Sequence, residues 1–352
     1  MIDYLIIGQG ICGTLLSYYL SKEGKDIRVM DDLQFNSASR VASGVINPVT
    51  GRQIVTTWMA DTLLPHALES YQAIEEDLQI NAISPANILS FPLTPQMVMA
   101  YHSGLQQAHP FLAEPADQDY REALRYVFEP VEIRPAYLVH VQTLLQRWQR
   151  ELTASNRLLQ ERFHYDQLVL AGDHIQYKDI TARKIIFCDG IASFDYPLWH
   201  RLPFGLNKGE ALIARIPGLD HSRIYKAGLT TLVPWYNGLW WIGSTYNRDY
   251  TDVLPSADFR ERTTAALQHF LQIPFEITDH LASVRPATLE RKPFVGLHPV
   301  HTCAGILNGM GTKGCSLGPL FAQQLTRHLL YNEPIMPDVD VRRFNRILQM
   351  NN

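Results

Sequence analysis

Gly8-Gln9-Gly10-Ile11-Cys12-Gly13 has the residue types and spacing of a turn that brings backbone amides against a diphosphate. Gly8 permits the tight turn, Gly10 lets the backbone approach the phosphates, and Gly13 allows the next helix to pack closely on a sheet. Amides at that helix start, Ile11 included, face the phosphate charge. Asp31 then falls where a carboxylate accepts hydrogen bonds from the adenosine ribose hydroxyls, and its charge disfavours a 2'-phosphate. Near the other end, Gly309-Met310-Gly311-Thr312-Lys313-Gly314 is a second glycine turn between an apolar run and a helical pattern. Arg285, followed by Pro286, offers a planar fork of donors suited to a carboxylate, or equally to an acid across a domain interface.

Such turns work only between a strand and a helix. Tyr4-Leu5-Ile6-Ile7 reads as a short buried strand, and residues 11–22 as a helix with Leu15, Leu16, Tyr19 and Leu20 on its apolar face. A second strand over 27–30 ends in Asp31 and Asp32. This is half of a dinucleotide fold, and it fits a nicotinamide or a flavin dinucleotide equally well. Residues 38–52 form a loop, and a helix is expected over 61–78, starting later if Pro65 occupies its first turn. Short strands are expected at 88–91, 97–101 and 126–133, and a helix at 139–152. Strands over 167–187 lead into Cys188-Asp189-Gly190-Ile191. Strands at 210–216, 223–233 and 239–243, separated by Gly, Pro and Asn turns, suggest an antiparallel platform, followed by a helix over 257–271. A strand at 304–307 and a helix over 316–330 flank the second glycine turn.

At 352 residues the chain exceeds the size at which a single core stops growing, so two domains are expected. Its 31 Lys and Arg against 35 Asp and Glu, with no basic run, argue against nucleic acid as a partner. The first apolar run is too short for a membrane span and lacks a basic flank, and the four cysteines have neither CxxC spacing nor disulfide-scaffold density. A cytoplasmic protein is expected. No metal site is expected either, since His102, His109, His164, His269 and His280 lack ligand spacing.

Taken in order, the glycine turn, Asp31, Ala38-Ser39, Ser43-Gly44, Lys208-Gly209-Glu210, Ile242-Gly243-Ser244-Thr245, Arg285-Pro286-x-Thr288 and Gly309-x-Gly311-x-x-Gly314 resemble the FAD-dependent amine and amino-acid oxidoreductase family, which includes glycine oxidase and D-amino-acid dehydrogenases. The resemblance spans nearly the whole chain. It implies an α/β fold with a Rossmann-like FAD-binding domain (1–50, 136–200 and 280–352) and a substrate domain of antiparallel sheet plus helices (51–135 and 201–279). By the same likeness Gly8, Gly10, Gly13 and Asp31 hold the ADP part, Ser39 approaches the diphosphate, and Gly44 with Val45 and Ile46 passes near the flavin ring. Asp189 and Gly190 match a second cofactor-side turn, usually richer in Ala and Gly. The Gly309–Gly314 turn would aim donors at the N1 and C2 carbonyl side of the ring, with Lys313 adding to the field or simply solvated.

Two departures stand out. Asp31 replaces the family's frequent Glu, and Thr288-Leu289-Glu290-Arg291-Lys292-Pro293 replaces its usual Thr-Pro-Asp-Gly-x-Pro, which weakens close substrate analogy. Members with covalent flavin carry a cysteine around the Arg285 segment, whereas the nearest here are Cys303 and Cys315, so noncovalent FAD is implied. Arg285 is then the expected clamp for a substrate carboxylate, with Arg52 a weaker second candidate. Among Trp235, Tyr236, Trp240, Trp241 and Tyr246, Tyr246 is the expected substrate contact. The implied reaction removes a hydride from the carbon of a C–N bond in a small amino acid or N-substituted amino acid, giving an imine that hydrolyses. Two alternatives stay open, a flavoenzyme of modified-nucleoside or cofactor-precursor maturation and a noncatalytic flavin-binding protein. So does the electron acceptor: oxygen, a quinone or another protein.

Overall fold

The structure is a computed structural model that describes residues 1–51, 53–116 and 119–349. Its first sheet is built around Ile2–Ile7, which pairs in parallel with Ile27–Met30 on one side and Ile180–Phe187 on the other. Leu158–Leu159 extends the sheet beyond Ile27–Met30. The far edge of Ile180–Phe187 is shared: its first half pairs antiparallel with Ile175–Tyr177, its second half in parallel with Ala304–Asn308. Five parallel strands therefore end along one edge, and all but Leu158–Leu159 are followed at once by an expected cofactor segment, at Gly8, Asp31, Cys188-Asp189 and Gly309. Ligands of open α/β sheets bind outside this carboxyl edge.

The second sheet runs in the order Glu276–Arg285, Asn207–Arg215, Trp240–Gly243, Thr230–Pro234, Ile224–Ala227, Ile88–Phe91, Val131–Ile133 and Leu112–Ala113. All of its pairings are antiparallel except Ile224–Ala227 with Ile88–Phe91. Alternation gives it two apolar faces. Leu212, Leu232, Trp240 and Ile242 pack against Leu267 and Phe270 of the helix Ala257–Phe270, while Ala211, Ile213, Val233 and Trp241 join the core that faces the first sheet. Among the described residues no helix is long and apolar enough to cross a membrane.

Several expectations need correction. Residues 280–285 are not part of the cofactor sheet. They complete a strand paired along its length with Asn207–Arg215, and Pro286 ends it, so the boundary expected at 280 falls inside a platform strand. Residues 97–101 lie in the helix Pro95–Gln106, where the Thr94 hydroxyl accepts from the Met97 amide (3.3 Å) and proline stands at the first turn. The strand expected over 126–133 is only Val131–Ile133, since Pro130 just before it has no amide to give a ladder. The helix Ala60–Leu78 starts before Pro65 rather than at it; the proline lies in the second turn and forfeits one backbone bond.

Helices from both halves meet where Tyr71 of Ala60–Leu78 donates to the Cys315 carbonyl (2.9 Å) in Gly314–Tyr331, with both residues buried. Tyr71→Phe is expected to lower unfolding stability by about 0.5–1.5 kcal/mol in a urea titration.

Candidate active site

A cleft of about 570 Å³ separates the carboxyl edge of the first sheet from the second sheet. At its ADP end Gly8 adopts φ +98°, and a Cβ there would lie 2.6 Å from the Cys188 carbonyl. A Cβ on Gly13 would meet the Gly8 carbonyl oxygen at 1.8 Å. These contacts explain the two glycines: strand, turn and helix close on one another at backbone distance. Above Gly10 sits Ser39, whose hydroxyl accepts from the Ile11 amide (3.0 Å). The Asp31 carboxylate accepts from the amides of Gln9 (2.5 Å) and Leu33 (2.6 Å), which fixes it at the cleft wall. Arg40, which the sequence reading passed over, stands 3.7 Å from Asp31 and donates to the Gln9 side chain (3.1 Å). The visible signal was a basic residue directly after Ser39.

Further along, Gly44 and Val45 line the cleft. Gly44 needs both its positive φ of +84° and its bare α-carbon, because a Cβ would lie 2.0 Å from the Val139 carbonyl. Asp189, Gly190, Gly311, Thr312 and Gly314 line the same cleft, and Gly309 starts the turn that carries the last three. Gly314 opens the helix Gly314–Tyr331 and Lys313 is its N-cap residue. Burial pulls the Lys313 ammonium down to about 8, and no acid pairs with it among the described residues. Thr312 and Gly314 on either side line the cleft; Lys313 itself is not among the lining residues.

Arg285 projects from the last residue of its strand into the cleft. One guanidinium nitrogen donates to Asn207 Oδ1 (2.9 Å) and the Thr245 carbonyl (2.9 Å), and the other to the Ser244 hydroxyl (2.9 Å). Every partner is neutral, and burial lowers its pKa from the ordinary arginine value. No domain-interface salt bridge involves Arg285 among the described residues, so its charge is uncompensated. Gly209 makes the pose possible, since a Cβ there would lie 1.9 Å from Nη2.

Trp241 stands on the cleft wall, where its indole donates to the Val41 carbonyl (3.0 Å), while Tyr246 lies beyond the strand Trp240–Gly243. Tyr246 is 53% exposed beside Arg248 and is not among the cleft-lining residues. Trp240 faces the opposite core, and the Tyr236 hydroxyl accepts from the Gln142 amide (2.8 Å). Arg52 lies outside the described residues. Glu290 is exposed and turned to Arg343 (3.2 Å). Glu210 is at the cleft wall but is held by the Ser256 amide (2.6 Å) and hydroxyl (2.9 Å), with His280 Nε2 3.1 Å away.

A dinucleotide cradle on the carboxyl edge of a parallel sheet, closed by an antiparallel sheet that delivers an arginine, defines a dinucleotide-binding protein built of two sheets. Residues 3–328 match the family described as FAD dependent oxidoreductase, and the chain belongs to it. Noncovalent FAD is accordingly its cofactor, and the cradle described above fits that group. Among solved structures the chain is similar to iminodiacetate oxidase from Chelativorans sp. BNC1 (19% identity, TM-score 0.77, covering 94% of this chain and 96% of that one). It is also similar to glycine oxidase from Geobacillus kaustophilus (18%, 0.73, 95% and 95%) and to L-proline dehydrogenase from P. horikoshii (13%, 0.73, 98% and 98%). At these identities the likeness is one of fold.

Proposed function

We propose that this enzyme oxidises the C–N bond of a small amino acid or N-substituted amino acid whose carboxylate is held by Arg285. The observation that carries the reading is a half-buried guanidinium with only neutral partners, open to the cleft that holds the glycine turns. A carboxylate is the complement such a fork lacks. The similar structures include a glycine oxidase, an iminodiacetate oxidase and a proline dehydrogenase, which agrees with a small carboxylate-bearing amine.

FAD, when bound, supplies the two-electron acceptor for hydride from the carbon bearing nitrogen. Gly8, Gly10, Gly13, Ile11, Asp31 and Ser39 would hold its ADP part. Gly44, Val45 and the Gly309–Gly314 turn would hold the ring, with Lys313 and the start of its helix adding positive potential where negative charge develops. Arg285 fixes the substrate carboxylate and so the approach of the α-carbon, and Trp241 walls the chamber. The Glu210 carboxylate is turned to the Ser256 amide and hydroxyl, and the substrate reacts as the neutral amine. The product imine leaves and hydrolyses.

An anaerobic titration of the yellow holoenzyme with amino acids, N-substituted glycines and carboxylate-bearing nucleosides tests this. Bleaching is expected with one of the small amino acids or N-substituted glycines. Flavin that stays oxidised with all of these while a nucleoside bleaches it, or with the whole panel, contradicts the proposal.

A further inference from the structure

Two glycines lie near one another on neighbouring strands of the second sheet, and each leaves bare backbone as a floor for one large side chain. Gly209, in Asn207–Arg215, carries the Arg285 guanidinium, with Nη2 standing 1.9 Å from where a Cβ would be. Gly243 ends the adjacent strand Trp240–Gly243 and carries the six-membered ring of Trp241, whose Cη2 and Cζ3 stand 2.7 and 3.0 Å from a Cβ at Gly243. The strands pair with Ala211 opposite Gly243, and that Cβ would also meet the Glu210 carbonyl at 3.0 Å, so the two floors adjoin. The guanidinium reaches the chain directly after Gly243: Nη2 donates to the Ser244 hydroxyl (2.9 Å) and Nη1 to the Thr245 carbonyl (2.9 Å). Gly209, Trp241, Ser244 and Arg285 all line the cleft.

The Trp241 ring is fixed at both ends. Its Nε1 donates to the Val41 carbonyl (3.0 Å) in the loop that leads to Gly44, its far edge rests on Gly243, and the residue is buried. That loop is itself tied down: the Val41 amide donates to the Ser37 carbonyl (3.2 Å), and the Arg40 carbonyl accepts from the Gln142 side chain (3.1 Å). Bulk pressed against a packed side chain forces it off its rotamer or shifts the backbone behind it, and either is costly.

A carboxylate gripped by Arg285 brings the carbon next to it beside this ring. Resting on the amino-acid reading above, we propose that Trp241 is a specificity-determining residue: its ring takes the space that a side chain on that carbon needs, so the substrates are glycine and glycines substituted on nitrogen. A side chain begins on the carbon next to the carboxylate and meets the ring at once. A substituent on nitrogen begins one bond farther from the clamp, and so farther from the ring.

The FAD-loaded full chain is mixed anaerobically with glycine, N-methylglycine, N-ethylglycine and both hands of alanine, norvaline and phenylalanine, and stopped-flow reduction gives the limiting rate and half-saturating concentration for each. In the wild type the first carbon added to the α-carbon should cost about tenfold or more in efficiency, while N-methylglycine and N-ethylglycine stay within about tenfold of glycine. Trp241→Val should raise alanine and norvaline relative to glycine by about 10–200-fold, and Trp241→Phe, which keeps a ring but gives up the bond to Val41, should fall between. Dissociation constants of acetate and trimethylacetate, read without turnover from the shift of the flavin spectrum, should differ by about tenfold or more in the wild type and converge in Trp241→Val. A ring that only packs the two sheets together predicts equal losses for every compound and unchanged ratios, and that result overturns the proposal. So does a wild type that prefers alanine, norvaline or phenylalanine to glycine. If Trp241→Val fails to fold or to hold FAD, the wild-type series and the Trp241→Phe ratios decide. A wild-type flavin bleached by none of these compounds would instead sink the amino-acid reading on which the proposal rests.

Discussion

Arg285→Ala is expected to leave a fully FAD-loaded protein whose reduction efficiency at low substrate drops by about 2–5 kcal/mol, the cost of leaving a buried charged partner unpaired. That is roughly thirty-fold to several thousand-fold. The size follows from what surrounds the guanidinium. Asn207, Thr245 and Ser244 orient it without neutralising it, so the substrate carboxylate finds a formed, desolvated fork. Arg285→Lys keeps the charge but cannot reach three fixed acceptors and a carboxylate together, and should fall between the two. FAD content should stay near wild type in both, because the ADP turn lies at the other end of the cleft. Anaerobic stopped-flow reduction over a range of substrate concentration reads the effect. A loaded alanine variant that is reduced normally ends the clamp assignment.

The second large effect is expected at Gly13. A Cβ there would stand 1.8 Å from the Gly8 carbonyl oxygen, which is backbone and has no rotamer to escape into. Gly13→Val must push the helix Ile11–Lys22 off the turn that precedes it, opening the phosphate cradle. The expected result is loss of FAD through purification, with instability of about 1–3 kcal/mol from overpacking. Gly24→Ala is the matched control. Its φ is +68° but nothing lies within 4 Å, so it should lose about 1 kcal/mol of stability and keep its flavin. The FAD-to-protein ratio after dialysis and a urea midpoint check both variants. A yellow, fully loaded Gly13→Val protein would contradict this account of the cradle.

Why these residues were legible and others were not is a matter of range. The turn Gly8 to Gly13 is local: spacing, a strand before it and an amphipathic helix after it are all contiguous in the chain. The fold class was legible for the same reason, strand by strand. Sheet membership was not, because pairing of residues 280–285 with 207–212 depends on partners some seventy residues away, and a strand next to a cofactor segment reads the same in either sheet. Period-two alternation separated Trp240 from Trp241 without saying which face looks into the cleft. The signals at Thr94-Pro95 were present in the chain and were outweighed by the apolar run after them. Gly209 shows the limit most plainly, since it matters for a guanidinium that arrives from residue 285. The burial of the Asp189 carboxyl likewise follows from packing that no local pattern reports.

Everything turns on whether hydride leaves the carbon that bears nitrogen in a substrate gripped by its carboxylate. The most direct measurement is anaerobic flavin reduction by the best substrate of the titration, compared with the same compound carrying deuterium on that carbon. The account predicts a several-fold slower reduction and a product that has lost the label. Equal rates at saturating substrate, with the label retained in the product, would contradict it.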